Sequence, residues 1–268
     1  MLLIKYIALA YTFFFATALF ATCKEDVLIC YGKLNPKEIS GYKYVILESV
    51  YYTKDDVALI KQQNELVLCY ISLGEVNAHA SYFHHLKALV TKKNELWNSY
   101  YLNISSIETQ DALTRIISEK LAKGFDGLFL DNIDNYSSYG RQHNQKKVLV
   151  NYLKKLKAIH PTAFFMQNSG LQLITETHKF INAIAFESVA SAYNLKTKAY
   201  RLRNDQAFND YIHTLKQLEK TYELPIILIE YANDLALYKR IQSRIKPTKW
   251  RYFIGKIDLQ TIQTYSKK

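Results

Sequence analysis

The sequence predicts a closed (β/α)8 barrel, an α/β fold of one domain, and three observations predict it. Eight short apolar runs follow one another along the chain, and helical patterns separate the later ones. Once a candidate export segment is set aside, about 250 residues remain, a typical length for this architecture.

The 268-residue chain opens with Lys5 and an apolar run from Tyr6 to Phe20, the pattern of an export signal. Ala16-Thr17-Ala18 supplies a small-x-small cleavage site and Ala21 a second one. Residues 1–21 are therefore expected to be a signal peptide, or a membrane anchor, because the run approaches the ~17-residue lower limit for a span. Residues 22–268 form the barrel domain, and the protein is expected to be secreted or held in the periplasm or cell envelope. Lipid attachment at Cys23 is a weaker alternative, since Phe20-Ala21-Thr22 fits the usual lipidation pattern poorly.

The apolar runs are Val27 to Tyr31, Tyr44 to Leu47 and Leu66 to Leu73, the last ending in Gly74-Glu75. Phe125 to Leu130 comes fourth and ends in Asp131. Ala163 to Met166, Ala183 to Phe186, Pro225 to Ile229 and Arg251 to Ile254 complete the set. Runs of four to eight apolar residues are what strands buried on both faces look like. Helical spacing covers Thr109 to Lys123, Gln145 to His160, Asn204 to Tyr222 and Asp234 to Ile245, with Gly124 as a C-terminal stop. Strand and helix in alternation imply a parallel sheet. No glycine-rich GxGxxG loop follows an early strand, which argues against a nucleotide-binding open sheet.

Other features exclude more than they assert. Cys23, Cys30 and Cys69 show no CxxC spacing, and Cys30 and Cys69 sit in apolar runs where inert, buried thiols are the rule. Residues 77–106 show no clear period. His79, His84 and His85 lie there at offsets unsuited to stacking two imidazoles on one helix face, so no metal site is expected. Trp97, Tyr100 and Tyr101 are candidates for core or for a sugar-binding cleft. The net charge of +11 comes with no nucleic-acid-binding motif, and the lysines and arginines are spread along the chain as on a solvated surface.

Acidic residues recur just after the strands: Glu48, Glu75, Asp131, Asp134, Glu187 and Glu230. In a barrel these positions converge on one face, and like charges gathered there cost stability, which marks a site. Asp131 and Glu187, on the fourth and sixth strands, suit the two carboxyl groups of a glycosidase, one protonated and one ionised.

The stretches CYISLGE (Cys69 to Glu75), GFDGLFLDNIDNY (Gly124 to Tyr136), FFMQNSG (Phe164 to Gly170), AIAFES (Ala183 to Ser188) and ILIEYA (Ile227 to Ala232) resemble glycoside hydrolase family 114. That resemblance, from about Tyr31 to Lys256, implies an endo-α-1,4-polygalactosaminidase-like barrel. It implies Asp131 as nucleophile and Glu187 as acid/base, hence retention of configuration, with no metal or organic cofactor. Tyr70, Glu75, Asp134, Asn168, Glu230 and Tyr231 become cleft residues that position the sugar, and Glu48 joins them from its strand end. The partner is an amino-sugar polysaccharide acted on by a monomer. Two other readings compete: a catalytically inactive polysaccharide-binding barrel, and a peripheral protein of an anionic membrane surface suggested by Tyr265-Ser266-Lys267-Lys268.

Overall fold

The computed structural model describes residues 26–262. The candidate export segment, Cys23 and the lysine-rich end fall outside these residues.

The strands run β1 (Val27–Cys30), β2 (Tyr44–Leu47), β3 (Leu66–Ser72), β4 (Glu75–Asn77), β5 (Val90–Asn94), β6 (Ser99–Leu102), β7 (Gly127–Asp131), β8 (Phe164–Asn168), β9 (Ala183–Glu187), β10 (Ser191–Asn194), β11 (Ala199–Leu202), β12 (Ile226–Tyr231) and β13 (Arg251–Gly255). Eight of them form one sheet in the order β1-β2-β3-β7-β8-β9-β12-β13, and every pairing is parallel. The first and last strands stand side by side at the seam, where the Tyr31 N–H donates to the Leu259 carbonyl at 2.7 Å. All eight apolar runs of the sequence are barrel strands, and the fold is a (β/α)8 barrel.

Helices α1 (Lys54–Gln63), α2 (Phe83–Leu86), α3 (Ile107–Ala122), α4 (Lys146–Ile159), α5 (Ile174–Thr177), α6 (Asp205–Tyr222) and α7 (Leu235–Ile245) cover the connections. The link from β1 to β2 has only a 3-10 turn at Pro36–Glu38. Side-chain oxygens of Thr53, Ser106, Asn204 and Asp234 cap α1, α3, α6 and α7. Gly124, at φ +100°, takes the left-handed turn that ends α3, a conformation glycine enters without strain.

The period of two divides the core. Val27, Ile29, Tyr44, Ile46, Leu68, Phe129, Met166, Ala185, Ile227 and Ile229 fill the barrel interior. Their neighbours Leu28, Val45, Val67, Leu128, Leu130, Phe165, Ile184 and Leu228 point outward to meet the helices.

Two excursions rise from the strands' C-terminal ends. Between β3 and β7, strands β4, β6 and β5 form a small antiparallel sheet, and between β9 and β12 a hairpin pairs β10 with β11. The first is the stretch with no legible period. Cys30 and Cys69 are buried free thiols; burial raises both and pushes Cys69 up to about 12.

Truncation of the fully buried Leu130 should test the outward core. Leu130→Ala is expected to cost about 2–5 kcal/mol and to lower the thermal midpoint by roughly 5–15 °C, read by calorimetry. Lys216→Ala, on the exposed side of α6, should stay within about 0.5 kcal/mol. Equal effects would contradict this division of the core.

Candidate active site

The interior face of the barrel is apolar until the strands' C-terminal ends, and on β7, β8 and β9 it turns polar at the last inward residue. Two positions beyond Phe129 stands Asp131, two beyond Met166 stands Asn168, and two beyond Ala185 stands Glu187. Tyr31, just beyond β1, and Tyr231, at the end of β12, also stand two positions beyond inward isoleucines, while Tyr70 of β3 lies one inward position lower, level with Phe129.

Asn168 ties the two carboxylates together. Its single amide nitrogen donates to Asp131 Oδ1 at 2.9 Å and to Glu187 Oε1 at 2.5 Å. The two oxygens are thus no farther apart than the sum of those distances. The Tyr70 hydroxyl donates to Asp131 Oδ2 at 2.8 Å, and the Asn132 amide to the same oxygen at 3.2 Å. Tyr231 donates to Glu187 Oε2 at 2.6 Å.

Burial and the neighbouring Asp131 charge push the Glu187 carboxyl up to about 7. Asp134 is raised by the same two causes in the same order. The phenols of Tyr31, Tyr70 and Tyr231 are held well above their ordinary range by burial and by these carboxylates, so they stay neutral.

The backbone turns sharply after each of the three polar ends. Asn132, Ser169 and Ser188 have φ of 59°, 56° and 57°, and each follows Asp131, Asn168 or Glu187 directly. Left-handed conformation in a non-glycine residue costs roughly 1–3 kcal/mol and gathers at functional sites.

The remaining expected residues divide. Glu75 is buried beside the mouth, accepting from the side chains of Asn94, Ser99 and Asn135, and it ties the small antiparallel sheet to the turn after β7. Asp134 lies on that turn, Ile133–Tyr136, close enough to feel both Asp131 and Glu75. Glu48 ion-pairs at 2.8 Å with Lys120, which reaches in from α3 and also donates to Ser49. Glu230 does not face the cleft. It alternates with Ile229 and Tyr231, so its side chain points out of the barrel interior, fully buried, where it accepts from the Ala190 and Ser191 N–H groups and the Ser191 hydroxyl. This corrects its expected place among the sugar contacts: adjacent residues of one strand cannot both project into the mouth.

Tyr31 and Tyr82 carry no mark in the sequence as site residues. The Tyr31 ring packs 4.5 Å from that of Tyr70, and its phenol is influenced by Asp131, Glu187 and Glu48. Tyr82, half-buried, lies beneath the Lys120 ammonium, 4.9 Å from its ring, where Glu48 and Asp131 act on its phenol. Strand parity counted from Ile29 would find Tyr31; Tyr82 has no such signal. Trp97 is half-exposed near the tip of the β5–β6 hairpin, Tyr100 stacks on Phe83, and Tyr101 pairs with Glu75 across β6 and β4. His79, His84 and His85 are exposed.

The sequence profile of glycoside-hydrolase family GH114 matches residues 28–268. The glycoside hydrolase domain of PelA from Pseudomonas aeruginosa superposes with a TM-score of 0.77 at 22% identity, over 88% of this chain and 96% of that one. Aspergillus fumigatus Ega3, solved as a complex with galactosamine, gives 0.69 at 16% identity over 89% and 93%. A family GH13_31 enzyme gives 0.55 at 11% identity over 82% and 59%. At these identities the likeness is one of fold. Direct comparison with curated protein sequences finds no match.

The electrostatics of the pair can be read without a substrate. Carbon-13 NMR of the glutamate carboxyls should show Glu187 titrating near 7. In Asp131→Asn the value should fall, because the raising charge has gone. An unchanged titration would mean that Asp131 does not act on Glu187.

Proposed function

The chain belongs to glycoside-hydrolase family GH114, and from that premise we propose that it is a retaining endo-hydrolase of α-1,4-linked galactosamine-containing polysaccharide. The observation that carries this is the Asn168 amide shared by Asp131 and Glu187. A common donor at 2.9 and 2.5 Å draws one oxygen of each carboxyl close to the other, which supports the close spacing of retaining enzymes, ~5–5.5 Å between carboxyl groups, over the ~6.5–9.5 Å of inverting ones.

In the first step an Asp131 oxygen attacks the anomeric carbon as the glycosidic C–O bond breaks, and the Glu187 proton passes to the departing oxygen. A glycosyl ester on Asp131 results. In the second, the Glu187 carboxylate takes a proton from water, which attacks the same carbon and releases Asp131. Two displacements restore the original configuration. Tyr70 and Tyr231 orient the carboxylates, and Asn168 sets their spacing. A protonated Glu187 beside Asp131 also favours catalysis over idle sugar binding, which needs no such difference between two acids.

A free amine on the sugar supports the substrate class. It is cationic at neutral pH and suits a mouth holding Asp131, Asp134 and Glu187, and Ega3 was solved with galactosamine bound. The opposing net charge of the body, +11, is screened beyond about 8 Å at physiological salt. Export with cleavage near residue 21 is supported by Lys5 and the apolar run after it. N-terminal sequencing of the exported protein should begin between Leu19 and Thr22. Retention of Met1 would indicate an anchored form instead.

Mechanism and substrate are tested together on partly deacetylated galactosaminogalactan, with products identified by mass and their anomeric form by NMR. The initial product should retain the α configuration. Asp131→Asn should abolish turnover, a loss of at least about 10³-fold, while oligosaccharide still binds. Glu187→Gln should harm substrates with poor leaving groups most. Because Glu187 must carry a proton and its carboxyl is raised to about 7, kcat/KM should fall as pH rises through that value, an apparent constant belonging to the coupled pair. Near-normal activity in Asp131→Asn, with loss in Asp134→Asn, would move the nucleophile to Asp134.

A further inference from the structure

The turn that follows Glu187 is held from two sides by charged groups outside the cleft. On one side lies Glu230. Its Oε1 accepts the Ala190 N–H at 2.8 Å, and its Oε2 accepts the Ser191 N–H at 2.7 Å together with the Ser191 hydroxyl. The Val189 amide also acts on this carboxylate. On the other side lies Arg203, at the end of the β10–β11 hairpin. Its guanidinium grips the Ser188 carbonyl through Nε at 2.9 Å and Nη2 at 2.7 Å, and its backbone N–H donates to the Ala190 carbonyl at 2.8 Å.

Arg203 is fixed in turn by Arg244 of α7, which donates to its carbonyl, and by the Tyr211 ring 4.9 Å away. The Ser188 N–H donates to the Ile229 carbonyl at 2.8 Å, and the Tyr231 N–H to Ser191 Oγ at 3.0 Å. Ser188 is the left-handed residue immediately after Glu187. Forcing a serine into that conformation requires fixed partners, and these are they.

We infer that Glu230 and Arg203 are positioning residues that hold the turn Ser188–Ser191 and through it aim Glu187 at Asp131. The inference rests on the proposed role of Glu187 as acid/base. An apolar residue in place of Glu230 would fill the space but leave the buried N–H groups of Ala190 and Ser191 without their acceptor, so the carboxylate ties the turn to β12 rather than merely packing against it. Three donors converging on it make a rigid anchor only while it offers acceptors at both oxygens.

The test compares Glu230→Gln and Arg203→Lys with the native enzyme. The glutamine keeps the volume of Glu230 but turns an NH2 group toward a hydrogen-bond donor. Its kcat should fall by roughly 10²-fold, as a slightly misplaced acid would cause, with KM within about twofold. The Glu187 titration, near 7 in the native protein, should move down as the carboxyl leaves the buried position beside Asp131. Arg203→Lys keeps the charge but loses the bidentate grip, and should lower kcat by about tenfold. If Glu230→Gln fails to fold, Arg203→Lys decides alone. Native kcat and native Glu187 titration in the folded variants, with only a lower thermal midpoint, would overturn the inference. Should the native protein cleave none of the oligosaccharides, the functional reading fails, and the Glu187 titration in the same variants still decides whether the turn is braced.

Discussion

Two half-buried carboxylates at one mouth repel each other, and the rest of the site is arranged around that cost. The Asn168 amide lies between them because β8 lies between β7 and β9 in the sheet, and the residue after the Leu130–Gln167 pairing brings Asn168 level with Asp131. On the other side Asn168 pairs with Ala185, so Glu187 stands one inward position higher. The stagger of parallel strands thus puts an acid on each side of one neutral donor, at different heights. Without that strand order the shared contact could not form.

The strained residues are part of the same arrangement. A strand that simply continued would carry the next inward side chain into the mouth and fill it. Left-handed Asn132, Ser169 and Ser188 turn the chain away immediately after Asp131, Asn168 and Glu187. The Asn132 amide donates to Ser72 Oγ, and the Ser169 N–H donates to the Ala185 carbonyl. These bonds offset part of the roughly 1–3 kcal/mol that each conformation costs.

The barrel is legible in the sequence because a strand covered on both faces has to be apolar throughout, and eight such runs alternating with helices suit a closed parallel sheet better than any open one. The helices show through their period, with Gly124 as a stop, and the patterns that open at Asn204 and Asp234 begin at residues that the structure makes N-caps. The small sheet of β4, β5 and β6 is not legible. Most of β5 is exposed, and a solvated strand has no apolar alternation to read. The β10–β11 hairpin is hidden for the same reason, since only Ser191 among its strand residues is buried. At the mouth, strand parity decides between reading and misreading. It is available for Tyr231 against Glu230, because an inward Ile229 forces Glu230 out. Tyr31 closes an apolar run and so reads as core.

The different roles proposed for two similar acids depend on how little the donors around them offset their charges. Among the described residues no lysine or arginine forms an ion pair with Asp131 or Glu187, and Lys120, the nearby ammonium, is engaged by Glu48 and Ser49. The donors are neutral: Tyr70, Asn132 and Asn168 for Asp131, and Tyr231 and Asn168 for Glu187. Neutral donors orient a carboxylate and stabilise its charge only in part, so a second negative charge in the same buried space finds no cation to balance it. That imbalance favours holding a proton within the pair. Burial and the Asp131 charge push the Glu187 carboxyl up to about 7, which suits it to the proposed role of acid. A fixed cation at this mouth would lower the Glu187 carboxyl and with it the difference on which the proposed roles of nucleophile and acid rest.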